Sequence, residues 1–147
     1  MEQLVRNISP ESTRPLRHQV LWPHIARTED CVTDTDFVAG AIHLGVYCED
    51  RLVSVGSLFP TSSPRLSNAK QYRLRAMATD PEFRGRHCGA ALVRSAITLL
   101  KEKGVEVLWC DARLHATGFY EKLGFSMLEE VYEVPRIGPH RFMWIDL

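Results

Sequence analysis

Apolar positions along the chain follow two periods, and the switches between them mark out the elements. Leu4, Val5 and Ile8 predict a short first strand, ended by Ser9-Pro10. A helix over about 12–22 follows, with Leu16, Val20 and Leu21 as its apolar stripe and Pro23 as its stop. Residues 24–36 are polar and read as a loop. The runs 41–48 and 52–59 predict a hairpin turning at Glu49-Asp50-Arg51. After a loop at 60–68, residues 71–79 alternate: Tyr72, Leu74, Ala76 and Ala78 share one face, and Gln71, Arg73, Arg75 and Met77 the other. Helical spacing returns over 89–103, where Leu92, Ala96, Leu99 and Leu100 form the buried side and Gly104 the cap. A fifth strand at 105–111, a short helix at 116–123 capped by Gly124, and strands at 125–132 and 141–146 complete the chain, the last two joined by a loop at 134–140. The order β-α-β-β-β-α-β-α-β-β describes an α/β fold, a mixed α+β sandwich rather than a doubly wound sheet.

The chain has 147 residues, which suits a single domain over 1–147. Apolar residues make up 45% and charged residues 24%, so a packed core is expected and disorder is not. Eighteen basic side chains balance eighteen acidic ones. That neutrality is a cancellation. Residues 65–94 hold seven basic and two acidic side chains, whereas the flanking segments are both net acidic. A globally basic nucleic-acid binder is excluded, and a local site for an anionic ligand is favoured.

Cys31, Cys48, Cys88 and Cys110 form no C-x-x-C pair, and the six histidines are scattered, so no metal site is expected. Reduced, mostly buried thiols fit a cytoplasmic protein. No apolar leader opens the chain, and no run is long enough to span a bilayer, so no membrane partner is expected.

The strongest local signal lies between the fourth strand and the long helix, at Arg84-Gly85-Arg86-His87-Cys88-Gly89-Ala90. A helix start offers unpaired N–H groups and a positive dipole end, glycines admit close backbone approach, and two arginines add charge. The alternative is an ordinary helix start with a solvated basic turn. The turn is neither a Walker A loop nor a G-x-G-x-x-G dinucleotide fingerprint.

The segment Met77-Ala-Thr-Asp-Pro-Glu-Phe-Arg-Gly-Arg-His-Cys-Gly-Ala-Ala-Leu92 resembles the acetyl-CoA pyrophosphate motif of the GCN5-related N-acetyltransferases. The segment Ala116-Thr-Gly-Phe-Tyr-Glu-Lys-Leu-Gly-Phe125 is similar to that family's second signature. Leu108-Trp-Cys-Asp-Ala-Arg113 and the Gly138-Pro-His140 ending are similar to the small-molecule branch that includes glyphosate N-acetyltransferase and ElaA-like proteins. The resemblance implies the GNAT fold, a mixed, mostly antiparallel sheet splayed between strands 4 and 5 and flanked by helices. It also implies acetyl-CoA as cofactor, bound by Met77, Ala78 and Thr79 and by Arg84, Gly85, Arg86, His87, Cys88, Gly89 and Ala90. Two departures stand out: His87 occupies the place of the motif's first glycine, and Arg113 that of an asparagine in many relatives.

Acetyl transfer to an amine needs a base, an oxyanion stabiliser and an acid for the leaving thiolate. The resemblance places Tyr120 as general acid near the sulfur; the alternative is a core aromatic. It implies a base at His140, whose imidazole suits amine deprotonation at neutral pH; the alternative is a capping residue at a strand end. Arg75 and Arg113, with Arg73 as a third, are candidates to clamp a carboxylate or phosphonate on the acceptor, unless each is spent in an ion pair with Asp111 or a glutamate. Trp22 stands where the glyphosate-acetylating relatives carry arginine, and its indole suits an apolar substrate tail. The expected function is transfer of acetyl from acetyl-CoA directly to a small anionic, amino-acid-like amine, by a monomer or homodimer. Other readings are a covalent route through Cys110 or Cys88, an acyl-CoA-binding regulatory module without chemistry, and a protein N-acetyltransferase.

Overall fold

In the computed structural model, which describes residues 2–147, strand β1 (Gln3–Asn7) leads into a helical segment, α1, over 11–21. Strands β2 (Ile42–Cys48), β3 (Arg51–Phe59) and β4 (Gln71–Thr79) follow, then α2 (Cys88–Glu102), β5 (Val107–Arg113), α3 (Thr117–Lys122), β6 (Ser126–Val134) and β7 (Gly138–Asp146). The strands make one sheet in the order β1-β2-β3-β4-β5-β7-β6. Every neighbouring pair is antiparallel except β4 and β5. That parallel pair is joined through α2, as a parallel connection requires a crossover. The mixed sandwich expected from the element order is the fold observed.

The β2–β3 hairpin closes through Glu49 and Asp50, both at positive φ (49° and 68°), the backbone of a two-residue turn that matches strand twist. The long helix buries Leu92, Val93, Ala96 and Leu100 against Leu44, Val46, Leu58, Leu74 and Leu108 of the sheet. Val93 takes the deep position expected for Leu99, which is only half-buried. On the opposite face α1 lays Leu16, Val20 and Leu21 over Val55 and Ala78, the stripe anticipated from its spacing. Its last turn is widened, with the Trp22 N–H donating to the Arg17 carbonyl at 2.9 Å.

Three expectations need correction. Alternation along β4 breaks at Ala76, which has φ +55° and sits opposite a register shift between Val55 and Ser57. This bulge inserts one residue, so the face flips. Met77 packs with Leu74 in the α2 cluster, and Ala78 joins Val55 under α1. The fifth strand starts two residues later than expected and runs to Arg113, because Val105 N–H closes back onto the Leu100 carbonyl beyond Gly104. His140 lies within β7 rather than in a loop. The turn at 135–137 is tight, so Val134 pairs with Gly138 and Tyr132 with His140.

The splay expected between strands 4 and 5 is present. They pair only at Gln71↔Val107, Tyr72↔Leu108 and Arg73↔Trp109. Beyond that point the two strands share no pairing up to their ends at Thr79 and Arg113, which leaves a wedge between them.

Candidate active site

At the mouth of the wedge the turn into α2 shows why its sequence is unusual. Gly85 has φ +77° and His87 φ +63°, with Arg86 between them outside the positive-φ region. Alternating hand along successive residues converges their N–H groups into an anion-receiving concavity. Among the described residues, the amides of Gly85, Arg86, His87, Cys88, Gly89 and Ala90 donate to no protein acceptor; the first helical bond is Ala91 N–H to His87 C=O. His87 stands in the left-handed region where a glycine is at ease, at a cost of roughly 1 kcal/mol. Histidine is one of the side chains enriched there. Arg84 and Arg86 are exposed, and Arg86 lies 4.9 Å from the Phe83 ring centre. Gly89 admits Phe119, whose ring would stand 3.3 Å from a Cβ at that position. Amides, dipole and guanidiniums together suit a diphosphate.

On the α2 side of the wedge, α3 holds Tyr120 against Phe119, Phe125 and the Cys110 strand. The ring is buried, which pushes the phenol well above its ordinary range and keeps it protonated. Its hydroxyl makes no hydrogen bond among the described residues. Cys110 is also buried, and burial drives its thiol far from the thiolate form. Cys88 is raised by burial too. Neither suits a covalent route.

The opposite face of the sheet carries His140, Arg113, Arg75 and Arg73. His140 is 5% exposed, stacks on Tyr132 at 6.3 Å, and pairs across the strands with Arg113. Its Nδ1 lies 2.8 Å from the Gly138 carbonyl, which can only accept. The proton of the neutral ring therefore sits on Nδ1, leaving the Nε2 lone pair free. Arg113 makes no ion pair among the described residues. Arg75 does, through a single 3.2 Å contact to Asp34, a carboxylate 86% exposed. Arg73 is tied at 2.8 Å to Asp111, lies 5.1 Å from the Trp109 ring centre, and keeps a buried Nε without a partner. Burial, and then the charge of Arg75, hold its pKa below the ordinary guanidinium value. Asp111 also accepts from the Tyr132 hydroxyl. The Trp22 ring centre lies 5.9 Å from the Arg17 guanidinium carbon, and the indole is partly exposed.

Residues 4–125 match the family model for acetyltransferases of the GNAT family. The chain belongs to the GNAT family. It is 41% identical over 143 residues to YitI, an uncharacterized N-acetyltransferase of Bacillus subtilis strain 168, covering 97% of this chain and 95% of that one. Its fold is similar to an aminoglycoside 6'-N-acetyltransferase solved with coenzyme A (TM-score 0.77, 14% identity, 97% and 96% coverage). Escherichia coli ElaA is similar as well (TM-score 0.74, 19% identity, 97% and 99% coverage). The protein is thus an acetyl-CoA-dependent acyltransferase of the N-acetyltransferase type.

Sequence reasoning missed a buried polar network on the face of the sheet that α1 covers. Arg17 and Asp36, both fully buried, form a two-pronged pair at 2.8 and 2.9 Å, and Arg17 also donates to Ser57 Oγ at 3.0 Å. Asp36 accepts from Thr33 N–H and Oγ1, and His43 bridges Ser57 Oγ to the Asp36 carbonyl. Burial alone would raise the Asp36 carboxyl, but hydrogen bonds from Arg17 and Thr33 outweigh it and lower the pKa to about 2. The network anchors the loop that carries Asp34 over Arg75. Its only advance sign was Arg17 on the same helical face as the apolar stripe.

Proposed function

We propose that this enzyme transfers acetyl directly to the amine of a small anionic, amino-acid-like substrate. His140 acts as base, Tyr120 as acid, and Arg75 and Arg113 hold the anion. The observation that carries the reading is the cross-strand pairing of His140, its Nε2 lone pair free, with Arg113, a guanidinium without a partner among the described residues, at the open end of the wedge.

The amides of Gly85 to Ala90, with Arg84 and Arg86, receive the coenzyme diphosphate, and Met77, Ala78 and Thr79 line the descending arm of the coenzyme. Acetyl-CoA supplies an activated thioester. Arg113 and Arg75 engage the acceptor's carboxylate or phosphonate, with Arg73 behind them held by Asp111, and so orient the amine toward the wedge. His140 Nε2 takes a proton from the acceptor ammonium, freeing the nitrogen lone pair for attack on the acetyl carbon. After carbon–sulfur cleavage, Tyr120 O–H gives its proton to the departing sulfur, and solvent returns it. Trp22, partly exposed beside Arg17, offers its indole to an apolar tail of the substrate. Free, buried cysteines agree with a cytoplasmic enzyme.

A thiol-release screen with acetyl-CoA tests the reading against amino acids, phosphono amino acids, polyamines and aminoglycosides. Turnover concentrated on amines bearing one anionic group, lost in His140→Ala, is the expected result. Turnover confined to polyamines contradicts the arginine clamp, since cations are repelled there.

A further inference from the structure

The first strand reaches the coenzyme turn through one side chain. Gln3, in β1, donates from Nε2 to the Arg86 carbonyl at 2.7 Å and lies 3.4 Å from Cys88 Sγ. Arg86 C=O can only accept, so the orientation of the Gln3 amide is forced. In a trans peptide the carbonyl of one residue and the N–H of the next point in opposite directions. Holding Arg86 C=O inward therefore holds His87 N–H outward, at the middle of the run of six unpaired amides. The Arg86–His87 peptide takes this one side-chain hydrogen bond among the described residues. It links a residue of negative φ to a histidine held in the left-handed region, where a glycine is more common.

We propose that Gln3 is a positioning residue for acetyl-CoA: its side-chain amide clamps the Arg86–His87 peptide so that the turn presents its N–H groups to the coenzyme diphosphate. The proposal rests on the assignment of that turn to the diphosphate. It also explains how the turn accepts His87, since a bond from the neighbouring strand fixes the strained peptide from outside.

Gln3→Met keeps the length of the side chain and removes the donor. Calorimetric titration of the full chain with coenzyme A is expected to show binding weakened about three- to tenfold, the scale of one lost neutral hydrogen bond. S-acetylpantetheine, which carries no phosphate, is expected to change less than about twofold, because the bond acts only on the diphosphate turn. Equal weakening of both ligands overturns the proposal and makes Gln3 a general structural contact. The charge-reversal pair Arg84→Glu/Arg86→Glu separates the two levels. If it weakens coenzyme A while Gln3→Met does not, the Gln3 proposal falls and the turn assignment stands. If it leaves coenzyme A affinity unchanged, the turn is not the phosphate site and both fall.

Discussion

Replacing Asp36 by asparagine removes one charge from a network that keeps Arg17 fully buried. The magnitude follows from the carboxyl itself, whose pKa falls from 3.8 to about 2 on folding. A depressed folded-state pKa contributes stability that is complete above the unfolded value and is lost as pH falls through the folded one. At 1.36 kcal/mol per unit, the ionised carboxylate contributes about 2.5 kcal/mol at neutral pH, roughly half of it gone by pH 3. Leaving Arg17 buried without its counter-charge puts the total cost of Asp36→Asn at about 3–5 kcal/mol. Urea unfolding of native and Asp36→Asn protein at pH 7 and pH 3 reads this directly. The gap between the two proteins is expected to narrow by about 1 kcal/mol on going to pH 3. A gap below about 0.5 kcal/mol at pH 7, or one that does not change with pH, refutes the reasoning.

Two further outcomes concern the acceptor side and the acid. Asp34→Asn releases Arg75 from its exposed partner and is expected to lower KM for an anionic amine about two- to fivefold with kcat unchanged, read by initial rates at low salt; a raised KM contradicts it. Tyr120→Phe keeps the packing against Phe119 and Phe125 and removes the proposed proton donor. It is expected to cost about 100-fold in kcat with the amine KM held, and unchanged turnover rules Tyr120 out as the acid.

Local pattern carried the elements and the two motif segments because each rests on neighbours in sequence. The alternation of β4 holds from Gln71 to Arg75, which is why Arg73 and Arg75 lie on the face expected for them. It fails at Ala76, since an alanine at positive φ leaves no trace in composition; the bulge is set by pairing with β3. Two prolines and a glycine beside His140 predict a loop, yet tight closure at 135–137 brings it into β7. Charge partners were the least legible part. Asp111 pairs with Arg73 and not with Arg75 or Arg113, and Arg75 pairs with Asp34, from a loop with no periodicity. Arg17 and Asp36 are 19 residues apart, and their burial follows from the way α1 crosses the sheet. Such pairings are decided by packing between elements, which local pattern does not encode.

The claim that most needs testing is that two guanidiniums select an anionic acceptor. The direct measurement compares kcat/KM for one amino acid and for its neutral carboxamide, in native enzyme and in Arg75→Gln/Arg113→Gln. With charge-assisted bonds worth about 1.5–3 kcal/mol each, the native preference for the acid should be at least about tenfold and should disappear in the double variant. Equal losses on acid and amide, with the native preference preserved, would contradict the account.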